Sequence, residues 1–461
     1  MHDTPPAAGR LFVANRGEIA LRAIEAAQAL GMEAVLGVSA ADRDGLGART
    51  ADRAVVLGPA QAKSSYLNAG LIVHAAKATG CTALHPGYGF LSERAELAEL
   101  CEEEGIIFVG PTPASIRQVG DKLSARAMAK RAKVPMTSGS DAVDDVDHAL
   151  RIAATIGYPV ITKASAGGGG RGMVVAHTPE ELANAFDGAV TTAREAFGDG
   201  TLFIERYVEV ARHIEVQVIG DGKGGVVHFG ERDCSIQRRY QKMIEEAPAA
   251  ILSPPVRARL HKAAVALLAS IDYRNAGTVE FLYDAASEDF FFMEVNARIQ
   301  VEHPVSEAIT GTDLIQAQLK LATGSVDSFD QSAIGTHGHA IEARIIAEDP
   351  DRDFMPSPGR ITRWDPPAGE GVRVDSAMET GAMVPPYYDS MIAKLIVHGA
   401  TREEAVERMA KALDTFLIEG IATNIPLLKV IVAHPDFRTN TINTRWLETV
   451  LLPQFRAQQG R

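Results

Sequence analysis

Two glutamates on neighbouring β-like segments have the spacing that most clearly suggests chemistry. Residues 278–283 and 289–295 alternate as the strands of a hairpin, and symmetric pairing about Ser287 places Glu280 opposite Glu294. Directly opposed side chains share a face with Cβ atoms about 5 Å apart, so two carboxylates there repel each other. A divalent cation with oxygen ligands, such as Mg²⁺ holding nucleotide phosphates, relieves that repulsion. The pattern therefore predicts a metal site.

The polar pattern continues beyond this pair. The even positions are Glu294, Asn296, Arg298, Gln300 and Glu302, and the odd positions between them are apolar. In an extended chain all five side chains line one face. A solvent-exposed strand is the alternative, but acid, amide and guanidinium groups beside a carboxylate pair favour a site. In that interpretation Arg298 binds an oxyanion and Glu302 is a general base beside a cation.

A glycine-rich loop, residues 167–172, follows the β-like segment 160–164. Its backbone N–H groups can approach phosphate oxygens closely, and Lys163 just before it needs an anionic partner or a route to solvent. The loop lacks the Gly-Lys-Ser/Thr ending of a Walker A motif. It contains the letters of a dinucleotide fingerprint, but residues 173–176 read as a strand and not as the required helix. We therefore predict a flap over phosphates, with a mobile surface hairpin as the alternative.

Other polar segments are less specific. Residues 231–242 contain four cations, which is typical of a solvated loop or, beside a nucleotide site, of a phosphate or bicarbonate cradle. Cys234 has no accompanying catalytic His and Asn and is interpreted as structural. His213 is either a core residue or a site residue, and Arg344 either pairs with Glu342 or faces a site. Residues 85–93 form a glycine-bounded turn at the end of a β-like segment, where ligands often bind.

The elements that must position these residues fall into three parts. Strand and helix patterns alternate over residues 11–109, which predicts an open parallel sheet with covering helices. A compact segment with its own helices and strands extends to about residue 209. Longer β-rich runs follow, with helices predicted over 255–270 and 402–417. We place the boundaries at 1–110, a linker at 111–136, a small lobe at 137–209 and a C-terminal part at 210–461.

Composition excludes several classes of protein. The 461 residues carry a formal net charge of -13 without a Lys/Arg-rich run, which argues against a nucleic-acid partner. The three cysteines are widely spaced and predict neither a disulfide framework nor a zinc site, so a reducing cytoplasm is expected. No segment approaches the ~20 apolar residues of a membrane span. The polar first ten residues do not resemble a secretory signal.

Several long motifs together resemble one family. They are residues 15–20 (NRGEIA), 85–93 (HPGYGFLSE), 167–173 (GGGGRGM), 294–304 (EVNARIQVEHP) and 386–391 (PYYDSM). In this order they are similar to biotin carboxylase, the ATP-grasp component of biotin-dependent carboxylases, and the resemblance spans residues 11 to about 452. It implies an α/β fold with an α+β C-terminal part. A Rossmann-like N-terminal domain, a lid domain with the glycine loop and a C-terminal ATP-grasp/biotin carboxylase domain are expected.

The resemblance also implies roles for individual residues. The expected ATP-binding residues are Lys122, Lys163, Gly169, Gly170, Glu205, Arg206, Val208, His213, Gln237, Tyr240, Glu280 and Glu294. Mg²⁺ or Mn²⁺ is expected on Glu280, Glu294 and Asn296. The expected bicarbonate site is Lys242, Arg298, Gln300, Val301 and Glu302. Tyr88 and Arg344 are expected near biotin, and the catalytic set is Glu302, Arg298, Lys242 and Arg344.

The implied reaction has two steps. Glu302 deprotonates bicarbonate, which attacks the γ-phosphate of ATP to give carboxyphosphate, while the metal and lysines offset the developing charge. Carboxyphosphate then yields CO₂ and phosphate. The phosphate deprotonates the ureido nitrogen of biotin, Arg344 stabilises the enolate-like oxygen, and biotin captures CO₂. Closure of the lid keeps water from the intermediate.

The sequence departs from the family pattern at three positions. Tyr240 stands where His or Asn is expected, Ala166 replaces the first glycine of the flap, and Ile346 replaces a commonly polar residue. A phenol can still bond a ribose hydroxyl, but it is larger and not basic.

Partners and competing functions follow from the same comparison. No biotinylation sequence like Ala-Met-Lys-Met occurs, so the biotin carrier protein and the carboxyltransferase are expected on separate chains, and a homodimer is the family expectation. The final acceptor is left open among acetyl-CoA, another acyl-CoA, pyruvate and other compounds. Another ATP-grasp carboxylate ligase would lack the set Lys242, Arg298, Glu302 and Arg344. A non-catalytic scaffold would usually lack the metal carboxylates or the flap lysine.

Overall fold

A five-stranded parallel sheet with helices between its strands forms the N-terminal part of the chain. The computed structural model describes residues 9–165 and 173–458. The elements in chain order are β1 (Arg10–Val13), α1 (Gly17–Ala29), β2 (Glu33–Ser39), α2 (Leu46–Thr50), β3 (Arg53–Gly58), α3 (Ala69–Ala78), β4 (Ala83–His85), α4 (Ala95–Glu103) and β5 (Ile107–Phe108). The strand order β3-β2-β1-β4-β5 is the doubly wound arrangement that the alternating pattern predicts.

The apolar runs of the sequence form the inner strands of this sheet. Leu11, Phe12 and Val13 of β1 are fully buried between the helix layers. The edge strand β3 was not predicted, although residues 54–57 (AVVL) form a short apolar run. In the structure Leu57 is its one buried residue, as is typical of an edge strand whose outer side chains reach solvent. The segment is recognised as a strand from its parallel pairing with β2.

Two helices lead from this sheet into a small lobe. The elements in chain order are α5 (Pro113–Gly120), α6 (Lys122–Arg131), α7 (Val146–Ile156), β6 (Val160–Ala164), β7 (Val174–Ala176), α8 (Pro179–Phe197) and β8 (Leu202–Arg206). The three strands form an antiparallel sheet in the order β7-β6-β8. Leu182 and Phe186 of α8 pack on this sheet in a separate apolar cluster. The predicted flap, residues 166–172, lies outside the described residues.

The next elements alternate long strands with three helices. They are β9 (Arg212–Asp221), β10 (Val226–Arg238), β11 (Gln241–Ala247), α9 (Pro254–Ala269), β12 (Arg274–Asp284), β13 (Asp289–Asn296), α10 (His303–Thr310), α11 (Leu314–Ala322) and β14 (His339–Ile346). The C-terminal elements are β15 (Glu348–Asp349), β16 (Met355–Pro356), β17 (Gly359–Arg360), β18 (Arg363–Asp365), β19 (Val372–Asp375), β20 (Met383–Val384), β21 (Met391–Gly399), α12 (Arg402–Thr415), β22 (Leu417–Glu419), α13 (Ile425–Ala433), α14 (Pro435–Arg438) and α15 (Leu452–Gln458).

Eight of these strands form one antiparallel sheet that carries most of the polar residues singled out above. Its order is β13-β12-β9-β10-β11-β14-β21-β19, so strands far apart in the chain become neighbours. Apolar clusters cover its two halves: Val216, Val279 and Phe281 belong to one, and Ile341 and Leu395 to the other. Within residues 9–165 and 173–458, no helix combines the length and apolar character needed to cross a membrane.

The interpretation of residues 231–242 as a solvated loop is wrong for most of its length. Residues 231–238 belong to β10, and Arg232 is fully buried. Its guanidinium donates to Glu215 at 2.6 Å, Gln217 at 2.8 Å and Ser306 at 3.1 Å. These acceptors come from a neighbouring strand and a helix, so the sequence of the segment itself did not reveal that the arginine is buried.

Candidate active site

A cavity of about 480 Å³ lies between the small lobe and the eight-stranded sheet. Twelve of the predicted site residues line it: Lys122, Lys163, Tyr240, Lys242, Glu280, Glu294, Asn296, Arg298, Gln300, Val301, Glu302 and Arg344. They come from α6, β6, β11, β12, β13, β14 and the segments after β10 and β13. The fold therefore brings most of the predicted residues together in one place.

The two glutamates of the hairpin lie opposite each other, as expected. Glu280 on β12 pairs with Glu294 on β13, whereas closer to the turn Phe281 pairs with Phe292. Met293 is therefore an extra residue in β13, a β-bulge. Without it Glu294 would lie opposite Val279 and point to the other face. The bulge places both carboxylates on the cavity wall.

The expected continuation of the strand to Glu302 is wrong beyond Asn296. β13 ends at Asn296, and Glu302 is already the N-cap of α10. Pro304 in the first turn of this helix is compatible with a helix start but not with a further sheet ladder. The polar side chains of the segment nevertheless line the cavity, because the chain turns along its wall.

Lys242 lies among three buried carboxylates. Its Nζ is 2.6 Å from Glu215, 3.1 Å from Glu280 and 2.6 Å from Glu302. Burial opposes the ammonium charge, but these carboxylates outweigh it and hold the pKa of Lys242 well above its ordinary value. The clusters His213–Glu215–Glu280 and Glu215–Cys234–Glu302 have atoms close enough for a metal ion. The ammonium already supplies a cation to both, so we assign neither as a metal site.

Glu302 is held between two cations. Its Oε1 accepts from Lys242, and its Oε2 accepts from the guanidinium of Arg344 at 3.0 Å. Burial alone would raise the pKa of this fully buried carboxyl, but Lys242, Arg344 and Arg232 hold it well below its ordinary value. Glu302 is therefore an ionised carboxylate at neutral pH, as a proton acceptor must be.

Arg298 faces the cavity from the segment after β13. Its Nε donates to Glu93 at 3.1 Å, and its terminal nitrogens donate to Gln300 at 2.8 Å and Asn296 at 3.3 Å. These contacts fix the plane of the guanidinium. A planar, fixed guanidinium suits an oxyanion with two acceptor oxygens.

The small lobe contributes the second group of cations. Lys163 Nζ donates to Glu205 at 2.6 Å, and the guanidinium of Arg126 donates to the same carboxylate. Lys122 Nζ lies 3.9 Å from Glu294. Three cations of this lobe and of α6 thus converge near the hairpin carboxylates, where an anionic ligand could replace their present partners.

Those of the remaining predicted residues that the structure describes do not line the cavity. His213 lies behind it, with Nε2 2.9 Å from Glu280, and Gln237 is buried opposite Lys242 in the β10–β11 ladder. Arg206 ends β8 and Val208 lies in the segment after it. Gly169 and Gly170 lie outside the described residues.

Tyr88 is also set back from the cavity. Its hydroxyl donates to Glu18, and its ring centroid is 6.0 Å from Lys394 Nζ. That ammonium donates to the carbonyl of Val301 at 3.0 Å. Tyr88 is therefore separated from the cavity wall by Lys394.

Sequence reasoning missed several residues that shape the site. Glu215 could have been found, because His213, Glu215 and Gln217 alternate with apolar residues in the same way as the hairpin residues. Glu93 ends the segment 85–93 that was singled out from the sequence, but its contact with Arg298 was not predicted. Arg126 carries no such signal, since α6 has an ordinary mixture of polar residues. Their contribution depends on contacts with distant strands.

Family descriptions match three consecutive parts of the chain. The biotin carboxylase N-terminal domain matches residues 7–116. The ATP-binding domain of the carbamoyl-phosphate synthase L chain matches residues 121–327. The biotin carboxylase C-terminal domain matches residues 342–449.

Individual relatives match along almost the whole chain. Biotin carboxylase 1 of Bacillus subtilis is 51% identical over 95% of this chain and 98% of its own. A pyruvate carboxylase subunit of Methanothermobacter thermautotrophicus is 48% identical over 95% of this chain and 89% of its own. The solved biotin carboxylase domain dimer of Hydrogenobacter thermophilus 2-oxoglutarate carboxylase, with MgADP, ADP and bicarbonate, has a TM-score of 0.92 at 46% identity, covering 95% of this chain and 97% of that one. The chain belongs to the biotin carboxylase family of ATP-grasp ligases.

Proposed function

We propose that this protein carboxylates biotin on a carrier protein, using ATP and bicarbonate, as the biotin carboxylase subunit of an acyl-CoA carboxylase-type complex. The observation that carries the proposal is that Glu302 contacts both Lys242 and Arg344, and that Arg298 lines the same cavity. This arrangement supports the proposal, because a carboxylate that can act as a base, a guanidinium that can bind bicarbonate and cations that can bind phosphate line one cavity. The three are the requirements of the first half-reaction.

Bicarbonate is proposed to bind on Lys242, Arg298, Gln300, Val301 and Glu302. The Arg298 guanidinium provides two donors for the two oxygens of the anion. Glu302 then takes the bicarbonate proton at one of its carboxylate oxygens. The attraction of Lys242 lowers the proton affinity of Glu302, and an arriving anion offsets that attraction, so the substrate itself makes the carboxylate a better base.

The phosphates of ATP are proposed to lie near Lys122 and Lys163, under the glycine flap with Gly169 and Gly170. The segment of Glu205, Arg206 and Val208 would then meet the adenine, with His213, Gln237 and Tyr240 completing the nucleotide site. Lys163 and Arg126 now share Glu205 as their acceptor. An incoming phosphate would compete for these donors, which links nucleotide binding to the position of the lobe.

A divalent cation fits the carboxylate pair. Burial and then the charge of Glu280 raise the pKa of Glu294 against the attraction of Lys122, so a further cation beside the pair would favour its ionised form. Oxygen ligands on Glu280, Glu294 and Asn296 suit Mg²⁺ or Mn²⁺. The ion supplies charge neutralisation for the phosphates when bound.

Biotin is proposed to approach Arg344, with Tyr88 behind the wall near Val301. The guanidinium of Arg344 can move from Glu302 to the enolate-like oxygen of biotin once Glu302 has taken a proton and lost its charge. The same residue thus links the two steps.

Assembly and location are also proposals. The name of the M. thermautotrophicus relative, which describes it as a subunit, supports a carrier and a carboxyltransferase on separate chains. The H. thermophilus domain dimer supports a homodimer. The acyl-CoA acceptor competes with pyruvate and 2-oxoglutarate, which the names of relatives include. We keep the domain boundaries at 110, 136 and 209 and the cytoplasmic location as predictions.

The test is ATP hydrolysis by the purified chain with Mg²⁺, with and without bicarbonate, and then with free biotin. Bicarbonate-dependent turnover that rises with biotin supports the proposal. Hydrolysis that is indifferent to both would overturn it. The acceptor is then found by adding the carrier and carboxyltransferase and comparing acetyl-CoA, propionyl-CoA, pyruvate and 2-oxoglutarate.

A further inference from the structure

Arg344 also contacts a buried carboxylate, that of Glu245, which is not part of the proposed bicarbonate site. Glu245 on β11 lies directly opposite Glu342 on β14, and Arg344 is two residues further along β14 on the same face. Glu245 Oε1 accepts from Nε of Arg344 at 2.6 Å. The terminal nitrogen of the same guanidinium donates to Glu302 at 3.0 Å. The carboxylates of Glu245 and Glu302 thus accept hydrogen bonds from different nitrogens of the same guanidinium.

We infer that Glu245 is a positioning residue that fixes the Arg344 guanidinium so that its terminal nitrogens face Glu302 and the cavity. An arginine side chain has several rotatable bonds. A hydrogen bond at Nε restricts rotation about the last of them, which would otherwise turn the terminal nitrogens away. The inference rests on the proposed function, because it gives Arg344 a role at the reacting atoms.

The environment of Glu245 and Glu342 supports the interpretation that Glu245 orients Arg344 and does not merely neutralise its charge. Both oxygens of Glu342 and Oε2 of Glu245 have no hydrogen-bond partner among the described residues, and both side chains are fully buried. Burial raises the pKa of Glu342 well above its ordinary value, against the attraction of Lys394. Burial also raises the pKa of Glu245 to about 7, against the attraction of Arg344.

Burial thus opposes the ionisation of both opposed acids. The contact with Glu245 uses Nε of Arg344, so the terminal nitrogens remain available for Glu302 and for a substrate oxygen. In metal sites, removal of the partners that orient the ligands costs about 10–100-fold in affinity or activity, and a loss of similar size is expected here.

The experiment compares Glu245→Ala, Arg344→Gln and the double variant in bicarbonate-dependent ATP hydrolysis with free biotin. Glu245→Ala removes the acceptor of Arg344 Nε and is expected to lower the biotin-dependent kcat about tenfold or more, with the KM for ATP unchanged. If Glu245 acts through Arg344, the double variant is no slower than Arg344→Gln alone. Multiplication of the two single effects in the double variant would overturn the inference.

Two further variants separate positioning from folding. Glu342→Gln replaces the opposed acid by an amide of the same shape and is expected to keep the wild-type rate. Glu245→Gln keeps the length of the side chain and an oxygen that can accept from Nε of Arg344, so its rate is expected to lie between those of wild type and Glu245→Ala. The inference fails if Glu342→Gln loses as much activity as Glu245→Ala, or if Glu245→Gln is as slow as Glu245→Ala. A wild-type enzyme without biotin-stimulated turnover would instead overturn the proposed function.

Discussion

The carboxylate of Glu302 is divided between Lys242, at 2.6 Å from one oxygen, and Arg344, at 3.0 Å from the other. Lys242 comes from β11 and Arg344 from the adjacent strand β14, so the sheet itself sets the distance between the two cations. The arrangement keeps the carboxylate ionised and ties the proton acceptor of one proposed step to the oxyanion partner of the next.

Replacement of Glu302 by Gln is expected to abolish most bicarbonate-dependent turnover. The amide keeps the shape but cannot accept the proton, and general-base catalysis contributes about 10²–10⁴-fold. ATP hydrolysis is measured with saturating bicarbonate, and nucleotide affinity by calorimetric titration, which should change little. Glu404→Gln, at the exposed start of α12, is the matched control and should retain the wild-type rate. A Glu302→Gln enzyme that keeps most of its rate would show that another group takes the proton.

Replacement of Arg232 by Met is expected to destabilise the fold. The change leaves buried Glu215 without its closest partner on β10, which costs roughly 3–5 kcal/mol for a buried pair. Addition of Glu215→Gln removes the carboxylate that has lost Arg232 and retains Lys242 as a cationic partner, and should recover part of the loss. Urea unfolding followed by circular dichroism measures both. The control Arg363→Met breaks an exposed pair, and its effect should be much smaller than that of Arg232→Met. Equal losses for the two arginines would contradict the assignment.

The Glu246 ion pairs are expected to make stability depend on pH in the acid range. Burial opposes ionisation of Glu246, but His339 and Arg402 outweigh it and lower its pKa to about 2 from 4.5. The carboxylate thus contributes stability above pH 4.5, and this contribution is lost as the pH falls from 4.5 to 2.

The measurement compares wild type and Glu246→Gln by thermal unfolding between pH 7 and pH 3. The variant should be the less stable at pH 7, and the difference should shrink as the pH falls below 4.5. A difference that stays constant over this range would mean that the carboxylate charge is not the cause.

Replacement of Tyr240 by His is expected to be nearly neutral for turnover. Tyr240 lines the cavity but is 56% exposed, and its ring is not confined by packing. Either side chain can hydrogen-bond a ribose hydroxyl. Steady-state kinetics with ATP as the varied substrate test this, and Tyr240→Ala shows whether any side chain is needed. A large loss in Tyr240→His would assign the phenol a role of its own.

The sequence by itself determined the parallel N-terminal sheet, the order of the structural units and most of the cavity residues. Apolar periodicity depends only on neighbouring residues in the chain, so it can be recognised without knowing the partner strand. The opposition of Glu280 and Glu294 was also predicted, although pairing nearer the turn follows a different register. The family resemblance added Lys122, which no local pattern distinguishes, and favoured a site over a pair with Glu342 for Arg344.

Tertiary structure decided what depends on partners far away in the chain. The bulge at Met293 turns Glu294 to the face of Glu280, and a single shift in register would have reversed it. Arg232 is buried because Glu215, Gln217 and Ser306 surround it, and the chain turns after Asn296 while still presenting Glu302 to Lys242 and Arg344. The local sequence pattern around a charged residue is the same whether its side chain is exposed to water or is buried against a carboxylate. Only the packing of distant strands determines which of the two is present.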